Sequence, residues 1–399
     1  MSDQAATSPQ LPLAGVRVVE FVHMVMGPTC GLILADLGAE VIKVEPVDGD
    51  HTRKLVASGA GFFPTYNRNK KSFAVDLKSP AGRAAVLKLI TSADVVTENF
   101  RPGAMDQLGF GYPALKKLKP ELIYCSHKGF LAGPYQHRTA LDEVVQMMGG
   151  LAYMTGGKGN PVRAGASVND VMGGMFGAIG VLAALHQRKA TGKGQEVTSG
   201  LFENNVFLMA QHMMEGLMTG APAKPMPERV RAWAVYDTFI TADNEQVFVG
   251  VVTDTQWKVF CEAFGRADLL ADPQLKTNPQ RVEARPRIIP IVTAIFAKLS
   301  KQELMGKCDE LGLPFAPVTQ PEDLFDDPHL NASDGMTEIT LPNGKKTRVP
   351  VLPLGMDGRR FGARLDLPRV GEHTRELLVA LGYPRQEIEN MIAGGIAVC

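Results

Sequence analysis

Val16-Arg-Val-Val-Glu-Phe-Val22 is a short, mostly apolar run of the kind that forms a buried β-strand. A helical pattern over residues 28–37 and a second strand pattern over Glu40–Glu45 follow it. Strand, helix and strand in this order form a βαβ unit, which favours a parallel sheet with helices on its faces. The start of the chain therefore predicts an α/β fold.

The alternation of strands and helices continues along the chain. We predict helices over 80–93 and 112–118 and strands over 94–98 and 122–126, with alternation up to about residue 220. A proline-rich stretch at 220–228 then reads as a linker, and a hairpin over 236–241 and 246–252 with helices over 255–264 and 301–311 follows. Because 399 residues exceed one ordinary core, we predict two domains. Residues 1–222 and 328–399 form a large doubly wound, Rossmann-like α/β domain, and residues 223–327 a small α+β domain with its linkers.

Composition narrows the class of protein. The chain has 42 basic and 42 acidic residues and no long block of one sign, so nothing in its charge predicts a nucleic-acid or membrane partner. Its five cysteines are scattered and lack CxxC spacing, which argues against disulfides and against a zinc site. The same pattern favours a reducing, cytoplasmic location. The polar first twelve residues lack the pattern of a secretion signal.

Several common catalytic motifs are missing from the sequence. The first strand–helix turn reads His23-Met-Val-Met-Gly27-Pro28 where a dinucleotide-binding domain carries GxGxxG, and the glycine clusters at 156–159 and 192–194 do not match a P-loop. The second cluster reads instead as the end of a helix. No HExxH spacing predicts a metal site, and no GxSxG elbow predicts a hydrolase.

The stretch Gly165-Ala-Ser-Val-Asn-Asp170 sets one acidic residue before an uncharged run over 171–185. The run is too short to span a membrane, and its glycines at 173, 174, 177 and 180 suit a close-packed interior helix. Taken alone, Asp170 is an N-cap, since Asp is a preferred residue type there. Small residues before it could bring backbone N–H groups close to a reacting carbonyl.

An ordered set of motifs across almost the whole chain resembles the family III CoA-transferases, which include formyl-CoA:oxalate and carnitine CoA-transferases. The matching segments are His23 with Gly27-Pro28, Ala35-Asp-Leu-Gly-Ala-Glu-Val-Ile-Lys-Val-Glu45, Asn67-Arg-Asn-Lys-Lys-Ser72, Glu98-Asn-Phe-Arg-Pro-Gly103, Lys128-Gly129-Phe130, Asp170, Thr191-Gly-Lys-Gly-Gln195 and Gly371-Glu-His-Thr374. Each motif is weak alone, but their order makes the set specific.

The resemblance implies that Asp170 is a nucleophile forming an aspartyl anhydride and then an aspartyl-CoA thioester, and that Asp142 acts on these intermediates. It implies coenzyme A and acyl-CoA as substrates, no permanently bound cofactor, no metal, and an interlocked homodimer. The residues it implies for coenzyme A are His23, Met24, Val25 and Met26 at the thiol end, and Val75, Lys78, Asn99, Phe100, Arg101, Gln107, Arg138 and Thr139. A dicarboxylate such as succinate is the implied acid, with Arg68 and Arg231 as candidates for its second carboxylate.

The chain also departs from parts of the family. Val25 stands where oxalate-specialised relatives carry glutamine, and no tetraglycine loop occurs near 229–236, which argues against oxalate chemistry. Pro46 and Gln107 replace basic residues that some relatives use on CoA phosphates. The related 2-methylacyl-CoA racemases carry a histidine where this chain has Leu141, which cannot exchange a proton. The leucine therefore argues against a racemase. A racemase and a non-catalytic acyl-CoA-binding protein are the two alternatives to the transferase.

Overall fold

The computed structural model describes residues 10–229 and 231–399. The chain divides into two compact units, one comprising Met1–Pro227 with Pro328–Cys399 and the other Glu228–Asp327. At Pro328 the chain returns to the first unit, and its last residues add a strand to the large sheet of that unit.

Twelve strands are present in the described residues. In chain order they are β1 (Arg17–Phe21), β2 (Glu40–Glu45), β3 (Lys70–Val75), β4 (Val95–Glu98), β5 (Ile123–Lys128), β6 (Glu196–Gly200), β7 (Val235–Ile240), β8 (Gln246–Val251), β9 (Phe315–Pro317), β10 (Met336–Thr340), β11 (Lys346–Pro350) and β12 (Ala397–Val398). The large sheet has the order β12-β3-β2-β1-β4-β5-β6. All its pairs are parallel except β12 with β3, so the prediction of a large parallel sheet is confirmed.

Seventeen α-helices accompany these strands in the part of the chain that the structure describes. They are α1 (Met26–Asp36), α2 (Phe62–Tyr66), α3 (Pro80–Thr91), α4 (Ala104–Gln107), α5 (Tyr112–Leu118), α6 (Asp142–Met148), α7 (Leu151–Gly156), α8 (Val168–Thr191), α9 (Leu201–Thr219), α10 (Asp254–Ala263), α11 (Ala267–Ala271), α12 (Asn278–Glu283), α13 (Arg285–Phe296), α14 (Lys301–Glu310), α15 (Pro328–Ala332), α16 (Thr374–Ala380) and α17 (Arg385–Ala393).

Helices cover both faces of the large sheet because alternate strand residues point to opposite sides. On one face, Val19 and Ile42 pack with residues of α3, α5 and α16. On the other face, Val18 and Val41 pack with residues of α1 and α8. The sheet is therefore buried on both sides, as its near-continuous apolar strands predict.

Sequence patterning did not find β3, whose first half is polar. Lys70 is fully buried, and its ammonium group donates to both oxygens of Glu20 on β1, at 2.9 and 3.1 Å. A run that begins with two lysines lacks an apolar period, and its burial depends mainly on the partner carboxylate across the sheet.

The returning segment of the first unit closes against the loop before β3. Asn69 accepts hydrogen bonds from the backbone N–H groups of Arg364 and Leu365, at 2.6 and 2.8 Å. The Arg364 guanidinium in turn donates to the carbonyl oxygens of Ala35 and Asp36 at the end of α1. These bonds tie the final part of the chain to its first βαβ unit.

The second unit has its own core. The predicted hairpin is present as β7 and β8, which pair antiparallel, and β9 adds a third strand. Trp257 and Phe260 of α10 and Phe296 of α13 pack with Val247 and Val249 of β8. The unit is thus an α+β structure with a single three-stranded sheet.

Candidate active site

Asp170 lies in the first turn of α8, at the third helical position. Ser167 is the N-cap residue and makes no side-chain capping bond, so the prediction that Asp170 is the N-cap is wrong. The helix ends at Gly192, whose φ of +66° is typical of a glycine at a helix C-terminus, and the predicted stop at this position is confirmed.

The N-terminus of α8 is capped from a distance by Asp142, the first residue of α6. One oxygen of the Asp142 carboxylate accepts the backbone N–H groups of Asn169 and Asp170, at 2.8 and 3.1 Å. Its other oxygen accepts a hydrogen bond from the side-chain amide of Gln146. The Gln146 carbonyl oxygen accepts the N–H of Ala164 at 2.8 Å, which fixes the loop that leads into α8.

The electrostatics of this site favour a protonated Asp170 at lower pH. Burial and, after it, the charges of Asp142 and Glu143 raise the pKa of Asp170 to about 7, although His127 opposes the rise. A helix N-terminus by itself favours the ionised form of a carboxylate. Here burial and the neighbouring negative charges outweigh that effect, and the Asp142 carboxylate also occupies two N–H groups of the first turn.

Glycines let α8 approach its neighbours closely, as the sequence predicts. A Cβ added at Gly173 would lie 2.3 Å from Cε of Met26, and one at Gly174 would lie 2.6 Å from the Met26 carbonyl oxygen. Farther along, Gly177 lies against the His127 ring and Gly180 against Val197. The Ser199 hydroxyl at the end of β6 donates to the Gly173 carbonyl oxygen at 2.9 Å. The start of α8 therefore lies at the carboxyl ends of the parallel strands, where α/β folds bind ligands.

α8 also has the length and apolarity of a membrane span when judged by those two properties alone. In the structure it packs extensively against α1 and against β5 and β6. It is thus the central helix of the large unit's core on that face of the sheet.

Three residues predicted for coenzyme A meet at the ends of β1 and β4. The Asn99 side chain accepts from the N–H of His23 at 3.0 Å and donates to its carbonyl oxygen at 2.8 Å. The His23 and Phe100 rings lie with centroids 5.8 Å apart. Burial is the main reason why the pKa of His23 is lowered, with Lys43 and His51 adding to it against Asp50. The neutral imidazole and the partly buried Phe100 ring together form a mixed polar and aromatic surface.

The residue after His23 has a backbone conformation that is uncommon for its type. Met24 has a φ of +63°, and its N–H donates to the Thr52 hydroxyl at 2.9 Å. A side chain held in the left-handed region costs energy, and such strain is concentrated at functional loops. The turn presents the exposed side chains of His23 and Met24.

Two other residues predicted for coenzyme A have buried side chains. Val25 is the N-cap of α1 and Val75 belongs to the core of the sheet, and each is only 1% exposed. Met26 is also buried, but it packs against Gly173 directly beneath the first turn of α8. Met26 therefore supports the site from below instead of lining it.

The remaining predicted CoA residues are exposed and lie on several elements. Arg101 follows Phe100, and Lys78 follows β3, three strand positions from β4 in the sheet. The guanidinium of Arg138 lies 5.0 Å from the Tyr135 ring centroid. Gln107 lies on α4, and Thr139 precedes α6. The structure leaves these side chains accessible.

Neither arginine predicted for a second carboxylate stands free. Arg68 is 1% exposed, and its guanidinium pairs with Asp36 at 2.6 Å, so its proposed contact with an acid is wrong. No local pattern reveals this pair, because Asp36 lies at the end of α1, 32 positions before Arg68. Arg231 belongs to the second unit, where it lies 3.5 Å from Asp237.

Three polar residues near Asp170 were not predicted. Gln146 binds both Asp142 and Ala164. Arg163 precedes the Gly165–Asp170 stretch and pairs with Glu143. Burial and the Asp170 charge raise the pKa of Tyr66 at the end of α2. The four-residue spacing of Asp142 and Gln146 on a helix is the signal that could have predicted their bond.

One buried cluster has the residue types of a soft-metal site. Sulfur and nitrogen ligand atoms of Cys30, Cys125 and His127 lie within 4.8 Å of one another. The hydrogen bond with Cys125, together with burial, raises the pKa of the Cys30 thiol, whereas metal binding needs a thiolate. The His127 Nε2 atom already lies 3.1 Å from the Thr97 hydroxyl. The cluster therefore fits a hydrogen-bonded thiol and imidazole chain between α1 and the sheet.

Comparison with known proteins identifies the family of this chain. A sequence model described as "CoA-transferase family III" matches residues 13–374. The chain belongs to this family. It is a family III CoA-transferase, as its ordered motifs predict.

Proteins similar to this CoA-transferase are themselves named as acyl-CoA or CoA transferases. An "Acyl-CoA transferase" of Fusarium pseudograminearum is 35% identical over 98% of this chain and 90% of its own length. A "Succinyl-CoA:glutarate CoA-transferase" of Mus musculus is 32% identical, covering 96% of this chain and 90% of its own. Among solved structures, "a CAIB/BAIF family protein from Brucella suis" is 30% identical with a TM-score of 0.82, covering 94% of this chain and 100% of its own.

Proposed function

We propose that this CoA-transferase moves coenzyme A from succinyl-CoA to a second carboxylic acid through a covalent intermediate on Asp170. The observation that carries the proposal is a single carboxylate in the first turn of α8, largely buried and at the carboxyl edge of the parallel sheet. Relatives named as succinyl-CoA:acid CoA-transferases support the donor.

The proposed reaction needs only carboxylates, thioesters and thiolate. An ionised Asp170 oxygen attacks the thioester carbonyl of succinyl-CoA, the C–S bond breaks, and CoA thiolate leaves a mixed anhydride. The thiolate attacks the Asp170 carbonyl carbon and releases succinate, which leaves an aspartyl-CoA thioester. The acceptor carboxylate attacks that thioester and again expels the thiolate. The thiolate then attacks the acceptor's carbonyl, which forms the new acyl-CoA and restores the Asp170 carboxylate.

The raised pKa of Asp170 suits this chemistry. A carboxylate with a pKa of about 7 is more basic than an ordinary one and is still substantially ionised near neutral pH. Burial also removes water that would hydrolyse the anhydride or the thioester. The exposed residues Gly165 and Ala166 at the helix entrance leave room for a thioester to approach.

We assign coenzyme A to the surface formed by the β1 and β4 ends. His23 and Met24 take the thiol end, and Asn99 holds their turn by its two hydrogen bonds. The Phe100 ring offers an apolar face to adenine, while Arg101 offers a charge to a phosphate. The other exposed residues assigned to this ligand are Lys78, Gln107, Arg138 and Thr139. Acyl-CoA is a substrate here, not a resident cofactor.

We further propose an interlocked homodimer in the cytoplasm. Apolar side chains are exposed on α8 and α9, among them Phe176, Ile179, Phe207 and Leu217. The Phe176 and Phe207 rings contact each other with centroids 5.5 Å apart, and an exposed apolar surface of this kind is typical of an interface. Light scattering coupled to size exclusion tests the dimer, which Phe207→Glu should weaken. The buried free cysteines fit a reducing compartment.

The decisive experiment follows CoA on and off the protein. Incubation with succinyl-CoA should add one CoA-sized mass to the peptide containing Asp170, and Asp170→Asn should abolish both the adduct and turnover. A panel of acceptor acids, read by mass spectrometry of acyl-CoA products, then identifies the second substrate. If no acid yields a new acyl-CoA, the transferase proposal fails. Solvent deuterium entering the α-carbon without an acceptor would instead identify a racemase, and saturable binding without adduct a CoA-binding protein.

A further inference from the structure

The Asp142 carboxylate is buried and held by donors of the protein itself. It is 4% exposed, and its two oxygens are bound to the backbone of Asn169 and Asp170 and to the amide of Gln146. Gln146 is fully buried and uses both ends of its amide, one on Asp142 and one on Ala164. An acid–base group must reach the reacting atoms, and the side chains of both residues are buried behind the first turn of α8.

These bonds connect three separate pieces of backbone. They link the start of α6, the loop at Ala164 and the first turn of α8, which carries Asp170. The N-cap residue Ser167 makes no side-chain capping bond, so α8 receives its cap from this pair of side chains. The orientation of the first turn, and with it the orientation of Asp170, is set by residues more than twenty positions earlier in the chain.

We propose that Asp142 and Gln146 form a positioning clamp that holds the first turn of α8 in the geometry the Asp170 carboxylate needs to attack. The two residues are positioning residues, and neither contacts the reacting atoms. The proposal rests on the function proposed above and adds to it the device that orients the nucleophile. A misplaced nucleophile lowers kcat more than it raises KM, because the acyl-CoA surface at His23 and Asn99 stays intact.

The clamp can be tested by exchanging the carboxylate and the amide between the two positions. In Asp142→Asn the new amide NH₂ faces the NH₂ of Gln146, so two donors oppose each other. In Gln146→Glu the new carboxylate faces the carboxylate of Asp142, so two acceptors oppose each other. In the double substitution Asp142→Asn/Gln146→Glu, the new amide oxygen accepts the α8 N–H groups and its NH₂ donates to the new carboxylate. The second oxygen of that carboxylate still accepts from Ala164, and the net charge is unchanged.

We expect each single variant to lose about 10- to 100-fold in kcat with KM for succinyl-CoA changed less than about threefold, and the double variant to recover at least about tenfold. The control is Asp309→Asn, which removes one negative charge at an exposed position of α14 in the second unit. The control should keep kcat within about threefold of the parent protein.

Amide hydrogen exchange provides a second measurement that does not depend on turnover. Exchange in the peptide spanning residues 163–170 should be slow in the parent protein, faster in each single variant and slow again in the double variant. Single variants that match Asp309→Asn in kcat and exchange would overturn the clamp, as would a double variant no better than the singles. Absence of CoA transfer in the parent protein would overturn the proposed function alone, because the exchange measurement still decides the clamp.

Discussion

Gly174 of α8 lies directly on the backbone of Met26 at the start of α1. A Cβ at position 174 would lie 2.6 Å from the Met26 carbonyl oxygen and 2.5 Å from Cβ of Thr29. Backbone cannot yield as a flexible side chain can, so any larger residue must push the two helices apart. The close approach of the Asp170 helix to α1 therefore requires that residue 174 has no side chain.

Gly174→Ala should displace the first turn of α8. We expect a fall in kcat of about 100-fold, because a shift of about 1 Å at a nucleophile has this effect. Overpacking should also lower the free energy of unfolding by about 1–3 kcal/mol, measured by urea denaturation.

The adjacent glycine provides the matched control. Gly173→Ala meets chiefly the terminal methyl of Met26, which can rotate away, so kcat should fall only a few-fold. Equal kinetic losses in the two variants would contradict a backbone-to-backbone contact as the positioning element.

The pH dependence of transfer should follow the ionisation of Asp170. The attacking form is the carboxylate, and its pKa is raised to about 7. Below this value kcat/KM should fall about tenfold per pH unit, and above about pH 8 it should level off. Initial rates between about pH 5.5 and about pH 9 measure the profile. A flat profile down to about pH 5.5 would mean that Asp170 has an ordinary pKa in the working enzyme.

The same ionisation should reduce stability at higher pH. The folded-state pKa of about 7 exceeds the ordinary value of an unfolded Asp, about 3.9, so the folded chain binds more protons between these values. The free energy of unfolding therefore falls as pH rises through this window and stays low above it. Asp170→Asn should remove the loss and be more stable than the parent protein by about 2–4 kcal/mol near pH 8, with the difference shrinking towards about pH 4.

Thermal melts of the two proteins at several pH values test this prediction. The exposed Asp309 in α14 supplies a control, since Asp309→Asn should give no difference that grows with pH. A variant at Asp170 that is less stable than the parent at every pH would contradict the sign of the effect.

We expect Arg68 to stabilise the fold and not to bind the acceptor acid. Removing its guanidinium leaves Asp36 buried without its ion-pair partner, and Arg68→Met should lower the free energy of unfolding by about 3–5 kcal/mol. Asp36→Leu/Arg68→Met removes both charges and should regain much of that loss. In the double variant KM for the acceptor acid should remain within about threefold of the parent value. A selective rise in that KM, with KM for succinyl-CoA unchanged, would return Arg68 to the acid-binding site.

Sequence patterning predicted the elements whose apolar residues repeat regularly. β2 and α5 have the predicted bounds, and α1, α3, β4 and β5 differ from prediction by a few residues. β3 was missed because its buried lysine is stabilised by a carboxylate on another strand, and no local pattern contains that information. Parallel pairing and β12 at the edge likewise depend on contacts between distant segments.

The candidate site was predictable in its residue types but not in its contacts. Family motifs indicated Asp170, Asp142, His23 and Asn99, and the hydrogen bonds join Asp142 to the Asp170 backbone and Asn99 to His23. The burial of Val25, Val75 and Arg68 could not be read from the motifs, because a motif gives residue order and not the direction of a side chain. Gln146 was not predicted, because its hydrogen bond to Ala164 joins residues 18 positions apart.

The bonds between Asn69 and the 364–365 segment have a consequence for synthesis on the ribosome. Asn69 emerges early, but its partners are made nearly 300 positions later, after the whole second unit. At about 5–20 residues per second, the half-built sheet waits for tens of seconds with the edge of β3 unpaired, because β12 is made last. During that interval the compact second unit can fold before the first one closes.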